Sequence, residues 1–228
     1  MGGMTLPTPP VGTIAVWSDI GCPWATLALH RLYGARARLG LDDRVVVDHG
    51  LFLLEDVNEA PTRRSTHDAE IPVIGTRAPE LELTLWHADV STWPVSTALA
   101  NEAVHAAKSQ SLSAAEQLDM ALRLAFFRDS RCISLLHEVI TVAETCSRVD
   151  VAALRAVLDD GSARGSMMRS YRMHAGEVQG SPHFVLPDGY EVHNPGMSLR
   201  WLGRAGGFPV IDEDDPSVYD DLVRRAAA

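Results

Sequence analysis

The spacing of apolar positions changes twice in the N-terminal part of the chain. Residues 13–17 are a short apolar run rich in strand-forming side chains, which predicts a buried strand. Apolar residues then recur at helical spacing from Trp24 to Leu39, until Gly40, and residues 44–54 contain three consecutive valines that indicate a second strand. A strand, a helix and a strand in this order predict a right-handed parallel crossover.

A block of helical patterns follows this unit. Residues 58–88 are polar and rich in Pro, Glu and Thr, which predicts a long loop with a short helix. Ser113 is the predicted N-cap of the second helix of the block and Asp150 that of the fourth, which Gly161 ends. The five stretches with helical spacing are residues 94–108, 114–127, 133–145, 150–160 and 162–175.

Strand signals return near the C-terminus. Residues 183–186 and 190–193 flank the turn sequence Pro-Asp-Gly, which predicts a β-hairpin. Residues 197–203 are the predicted final helix, and residues 206–228 are a predicted tail that packs on the surface.

The order β-α-β, helical block, β-β-α predicts an α/β fold in which a small mixed sheet carries a large all-helical insertion. We expect a discontinuous core of residues 12–56 and 179–206. Residues 57–178 are then the inserted loop and helical domain, and residues 207–228 are the C-terminal tail.

Composition is typical of a globular protein and excludes several functions. Of 228 residues, 46% are hydrophobic, and the formal net charge of −10 argues against a nucleic-acid partner. No apolar run approaches the about 20 residues of a membrane helix. Residues 1–10 lack the features of a secretion signal, and three cysteines do not make a disulfide framework. We therefore expect a cytoplasmic protein with reduced thiols and no membrane partner.

Cys22 is the candidate for reactive chemistry. It lies where the first strand ends and the first helix begins, and Pro23 occupies a helical position that needs no N–H donor. A sulfur there faces the unpaired N–H groups and the positive end of the helix dipole, which lowers a thiol pKa from about 8.5 to ~3.5–7.5. The alternative is an inert, buried cysteine that packs at the helix start.

Two segments of the chain carry a resemblance to a known family. Residues 18–25, SDIGCPWA, resemble the SD-x-x-CPWC active-site segment of cytoplasmic DsbA-like oxidoreductases, and residues 180–185, GSPHFV, are similar to the G-x-P-x-F segment of that family. The resemblance covers roughly residues 13–205 and implies a thioredoxin-like fold. It also implies that Pro182 is cis and faces Cys22, and that the Ser181 backbone pairs with a thiol or peptide substrate.

Ala25 departs from the family pattern, which has a second cysteine at this position. A dithiol enzyme uses that cysteine to release a trapped mixed disulfide. Cys132 and Cys146 flank the helical stretch 133–145 and have no indicated path to Cys22, and we expect both to be small apolar residues in helix packing. The remaining redox cycle is a monothiol one, in which a low-molecular-weight thiol such as glutathione or mycothiol supplies the second sulfur without tight binding.

The same architecture resembles kappa-class glutathione transferases and 2-hydroxychromene-2-carboxylate isomerases. Three functions therefore remain open: a monothiol thiol–disulfide oxidoreductase, a thiol-dependent transferase or isomerase on a small organic substrate, and a non-catalytic binding protein. The oligomeric state stays open as well, with a homodimer among the options.

The expected site contains one catalytic residue and a set of residues that contact a small thiol. Asp19 either tunes the thiol or caps its loop, and His183 either stabilises a thiolate or is a half-buried strand residue. A zinc motif beginning at His137 fails because position 141 is a threonine, so we expect no metal site. The expected site residues are Cys22 as nucleophile, with Pro23, Trp24, Ser181, Pro182 and His183 around the small thiol.

Overall fold

A four-stranded mixed sheet forms the centre of the fold. The computed structural model describes residues 6–203 and 207–228. The four strands are β1 (Thr13–Ser18), β2 (Val46–Leu51), β3 (His183–Val185) and β4 (Glu191–His193). They lie in the order β2, β1, β3, β4, with β1 parallel to β2 and the other neighbours antiparallel. The pairing of β1 with β3 places the end of β1 beside the segment that precedes β3.

The predicted crossover between the parallel strands is confirmed. Helix α1 (Pro23–Arg38) connects β1 to β2 and buries Leu29 and Leu32 against Ile14 and Phe184 of the sheet. Its first turn thus begins at the C-terminal end of a buried strand, which is where Cys22 lies.

The insertion is helical, as expected. Residues 58–88, predicted as a long loop with a short helix, contain helix α3, which has 12 residues. Ser111, not the predicted Ser113, caps α5, because its Oγ accepts the Ala114 N–H at 2.9 Å. Asp150 caps α7 as predicted. The helices are α2 (Leu54–Val57), α3 (Arg64–Gly75), α4 (Ala98–Ala107), α5 (Leu112–Phe127), α6 (Leu136–Ala143), α7 (Val151–Asp160) and α8 (Ser162–His174).

The C-terminal part differs from the prediction. The segment expected as the final helix is strand β5 (Met197–Leu202), which pairs antiparallel with β6 (Phe208–Asp214). Met197, Leu199 and Trp201 alternate with polar residues, and this period of two is that of a strand. The predicted core boundary, the start of the tail and the end of the family resemblance fall on residues 204–206, which lie outside the described residues. Residues 1–5 lie outside them as well.

The expected surface tail over residues 207–228 is wrong as well, because it contains β6 and helix α9 (Val218–Ala227). The buried residues of α9 recur at helical spacing on one face and pack with α1 against the sheet. Helix α9 is therefore the closing helix of the predicted β-α-β…β-β-α order, and the β5–β6 hairpin is inserted before it. The buried residues are Tyr219, Leu222, Val223 and Ala226.

The α/β, thioredoxin-like fold with a helical insertion is thus confirmed. Within residues 6–203 and 207–228, every helix lacks the combination of length and apolar character that crossing a membrane requires.

Candidate active site

Cys22 and the Ser181–Pro182 segment meet at the end of β1. Cys22 is the last residue before α1, and Pro23 is the first residue of that helix. The Cys22 Sγ donates a hydrogen bond to the Ser181 carbonyl oxygen at 3.3 Å, and the Ser181–Pro182 peptide bond is cis. The Ser181 Oγ in turn accepts the Asp19 N–H at 3.1 Å. The two segments that carry the family resemblance therefore share direct contacts.

The ionisation state of Cys22 differs from the prediction. Only 4% of the residue is exposed, and burial raises the pKa of its thiol to about 11. Burial has the largest effect; a hydrogen bond from the Ser181 side chain, the Ala25 N–H and Arg123 lower this pKa, whereas Glu70 raises it further. The expected low thiol pKa is therefore wrong for this structure. The thiol is protonated at neutral pH, and the helix N-terminus does not compensate for the loss of water.

An apolar cluster covers the thiol. Cys22, Trp24 and the fully buried Ala25 lie in one cluster with Ile74 of α3. Met197 and Leu199 of β5 and Ile211 of β6 pack against the same cluster. The β5–β6 hairpin and α3 thus form the cover over the reactive position.

Asp19 caps the loop that carries Cys22. It is 1% exposed, and its Oδ1 accepts the Gly21 N–H at 2.8 Å and the Asn101 Nδ2–H at 3.1 Å. Its Oδ2 accepts the Leu54 N–H at 2.9 Å. These three contacts tie the loop to α4 and to the segment after β2, and they show that Asp19 caps the loop, which is one of the two roles considered.

Arg123 of α5 lies fully buried beneath the same loop. Its guanidinium forms a two-bond ion pair with Asp119 at 2.7 and 3.0 Å. It also donates to the Asp19 carbonyl at 2.9 Å and to the Ser18 Oγ at 2.8 Å. Sequence reasoning missed this residue because an Asp–Arg pair four positions apart is equally common on exposed helix faces.

Two residues of α3 also contact the Cys22 segment, and both were missed. His67 Nε2 donates to the Gly21 carbonyl at 2.9 Å, and Glu70 Oε1 accepts the Trp24 Nε1–H at 2.7 Å. Burial lowers the pKa of His67 to about 4 and raises that of Glu70 to about 7. Residues 58–88 show no clear periodicity, so no sequence pattern places either side chain near Cys22.

The structure does not bring His183 to the thiol. Its ring is fully buried, and its Nδ1 accepts the Gln179 N–H at 3.1 Å. Its Nε2 lies 3.6 Å from the Glu191 carboxylate. The group that contacts Pro182 is the neighbouring strand residue His193, whose Nδ1 donates to the Pro182 carbonyl at 2.9 Å.

The other two cysteines are free and lie in the helical insertion. Cys146 lies just after α6, and its sulfur is 3.7 Å from the Val142 carbonyl of that helix. Cys132 is half-buried between α5 and α6. In the described part of the chain, no group of three or more His, Cys, Asp or Glu residues has the arrangement of a metal site.

Solved structures resemble the chain over nearly its whole length. No protein-family model and no curated protein sequence matches it. A probable DsbA oxidoreductase from Streptomyces coelicolor has 21% identity and a TM-score of 0.68, covering 94% of this chain and 89% of its own. The fold is that of DsbA-like proteins.

Two further solved structures represent different activities on this fold. The cytosolic disulfide reductase DsbM from Pseudomonas aeruginosa, determined with GSH, has 14% identity and a TM-score of 0.60, covering 94% of this chain and 95% of its own. A 2-hydroxychromene-2-carboxylate isomerase has 13% identity and a TM-score of 0.58, covering 79% of this chain and 87% of its own. At these identities the likeness establishes the shared fold, and the activity has to be argued from the residues of the site.

Proposed function

We propose that the chain is a DsbA-like thiol–disulfide oxidoreductase with a single reactive thiol, Cys22. The contact between the Cys22 sulfur and the Ser181 carbonyl beside cis Pro182 carries this proposal. A disulfide substrate that reaches this point meets both a sulfur nucleophile and an extended backbone segment with which it can pair. We also propose a cytoplasmic location, where small thiols keep such a cysteine reduced.

The positions of the other side chains support a monothiol cycle. Ala25, at the position of the second cysteine in the resembled motif, is fully buried in the cluster beside Cys22. The Cys146 sulfur is turned toward Val142 and Gln117 in the insertion. We therefore propose that a low-molecular-weight thiol such as glutathione or mycothiol supplies the second sulfur and binds without being held tightly.

The proposed cycle has two exchange steps. Cys22 first gives its proton to solvent, and the thiolate attacks one sulfur of a disulfide, so that a mixed disulfide forms and the other sulfur leaves as a thiolate. The thiolate of the small thiol then attacks the substrate sulfur of this mixed disulfide, and Cys22 leaves as a thiolate. The net result is one new disulfide between the small thiol and the substrate, and one reduced thiol.

Exchange between glutathione and a small mixed disulfide tests this function. We expect the wild-type protein to accelerate the exchange, Cys22→Ser to lose the acceleration, and the matched control Cys132→Ser to keep it. Equal rates for the wild type and Cys22→Ser would contradict the proposal and favour a non-catalytic binding protein.

A thiol-dependent transferase or isomerase on a small organic substrate is the second candidate. The buried, protonated state of Cys22 favours it, because a site that only activates a bound thiol has no need of a thiolate of its own. This candidate predicts that glutathione binds reversibly to Cys22→Ser as well as to the wild type, without forming a covalent adduct. Calorimetric titration of both proteins with glutathione distinguishes the two candidates.

A further inference from the structure

Helix α3 contacts the residues on both sides of Cys22. His67 donates to the Gly21 carbonyl at 2.9 Å, and Glu70 accepts from the Trp24 indole at 2.7 Å. The two side chains are three positions apart and therefore lie on the same face of the helix. Each bonds to the chain within two residues of the thiol, so α3 holds the Gly-Cys-Pro-Trp segment at two points.

Glu70 is a buried acid in apolar surroundings. It is 6% exposed, and its indole partner belongs to the same apolar cluster as Cys22. Burial raises the pKa of Glu70, and the hydrogen bond from Trp24 lowers it. Helix α3 packs on α1 and β6. Arg31 of α1 and Asp214 of β6 are paired with each other at 2.7 Å, and Arg77, just after α3, lies 3.5 Å from the same carboxylate.

Two opposite charges act on the Cys22 sulfur from different elements. Arg123 of α5 lies beneath the loop and favours the thiolate, whereas Glu70 of α3 disfavours it. Of these two, Arg123 is bound to Asp119 by two hydrogen bonds, and its charge is therefore fixed. Glu70 has no such ion pair among the contacts described for it, so its charge is the one that can change near neutral pH.

We propose that Glu70 is a positioning residue for the Cys22 thiol: it orients the Trp24 indole by a hydrogen bond, and its carboxylate charge keeps the neighbouring thiol protonated. The inference rests on the proposed function only in taking Cys22 as the reacting group. Protonation of Glu70, or approach of a cation to it, then makes the thiolate easier to form. Glu70 sets reactivity through the charge that the sulfur faces, without touching the substrate.

Alkylation of Cys22 by iodoacetamide as a function of pH tests the inference, with the modified cysteine identified by peptide mass. In Glu70→Gln the amide oxygen can still accept the Trp24 hydrogen bond, but the charge is removed. We expect the apparent pKa of Cys22 to fall and its alkylation rate at pH 8 to rise several-fold. Glu80→Gln is the matched control, because Glu80 is an exposed acid that bonds to His30 of α1, and its profile should equal that of the wild type.

A purely structural role for Glu70 gives a different result. In that case Glu70→Gln changes the melting temperature and leaves the pH profile of alkylation where it is in the wild type, which overturns the inference. Should Glu70→Gln fail to fold, Glu70→Leu replaces it, because a leucine suits the apolar surroundings. This variant removes the charge together with the Trp24 hydrogen bond, and a fall in the pKa of Cys22 is again expected. The alkylation profile measures only the reactivity of the thiol. The inference about Glu70 can therefore be contradicted while the proposed function is supported by the exchange assay with glutathione, and the reverse.

Discussion

The thiol of Cys22 lies between opposing influences on its pKa. The first turn of α1 and Arg123 favour a thiolate, and burial together with Glu70 favours a protonated thiol. Loss of hydration outweighs a few favourable dipoles for a group that is almost fully buried, so the pKa rises to about 11. A sequence shows that a cysteine begins a helix, but the residues that shield it from water come from α3 and the β5–β6 hairpin.

The burial of the acid Glu70 predicts that the unfolding free energy depends on pH. Its pKa rises from an ordinary value of 4.5 to about 7 on folding, so the folded state holds this proton more tightly than the unfolded state. The stabilisation is complete below pH 4.5 and is lost as the pH rises to about 7. At about 1.4 kcal/mol for each pKa unit, the loss amounts to about 3 kcal/mol.

Glu70→Gln removes this dependence. Relative to the wild type, the variant should gain up to about 3 kcal/mol in unfolding free energy between pH 4 and pH 8, measured by urea denaturation. Taking the difference between the two proteins cancels the opposite contribution of His67, whose pKa falls to about 4. A difference that does not change with pH would show that Glu70 is not a buried titrating acid.

At the scale of elements, the β5–β6 hairpin packs against the apolar cluster that contains Cys22. Asp214 of β6 bonds to Arg31 of α1 with two hydrogen bonds at 2.7 and 3.0 Å, and Arg77 approaches the same carboxylate at 3.5 Å. Gly196, at the start of the hairpin, has a φ of +71°. A Cβ atom at this position would lie only 2.1 Å from the Asp215 carbonyl oxygen, so this close approach requires a glycine. The hairpin is thus attached to the core at its base, on the side that faces α1.

Asp214→Asn should loosen this cover. The variant removes the charge that holds β6 to α1, so we expect iodoacetamide to alkylate Cys22 several-fold faster at a fixed pH. Asp212→Asn is the control, because Asp212 forms an exposed ion pair with Arg200 within the hairpin itself, and pairs of that kind contribute at most about 1 kcal/mol. Equal rates in both variants would argue against the hairpin as the cover of the thiol.

The packing of helix α9 predicts how substitutions on its two faces change the unfolding free energy. Leu222 is 4% exposed between α1 and the sheet, so Leu222→Ala should lower the unfolding free energy by about 2–5 kcal/mol. Arg224→Ala, on the exposed face of the same helix, should change it by less than about 0.5 kcal/mol. Urea denaturation measures both values, and similar small effects would mean that α9 belongs to a tail that only packs on the surface, as the sequence predicted.

At the scale of the whole molecule, the sequence predicted the features of the fold that follow from the local spacing of apolar residues and from the two family motifs. The crossover through α1, the helical insertion and the meeting of Cys22 with Ser181 followed from strand runs, helical spacing and the family resemblance. Strand β5 was mistaken for a helix, because a segment of six residues is too short for its apolar period to be certain, and β6 was assigned to the tail.

The groups that tune the site were not predictable in the same way. His67, Glu70 and Arg123 reach the loop of Cys22 from helices that are 45 to 101 positions away along the chain, so only the packing of α3 and α5 on α1 reveals them. Burial is a property of the assembled molecule too, which is why the motif predicted an activated thiol and the structure contains a protected one.

The reaction of Cys22 with a small disulfide is the most direct test of the proposed function. Wild-type protein is incubated with oxidised glutathione, and its intact mass and peptide masses are measured before and after addition of fresh glutathione. We expect one glutathione adduct, on Cys22, which fresh glutathione removes and which Cys22→Ser does not form. Absence of the adduct, or an adduct confined to Cys132 or Cys146, would contradict a monothiol oxidoreductase centred on Cys22.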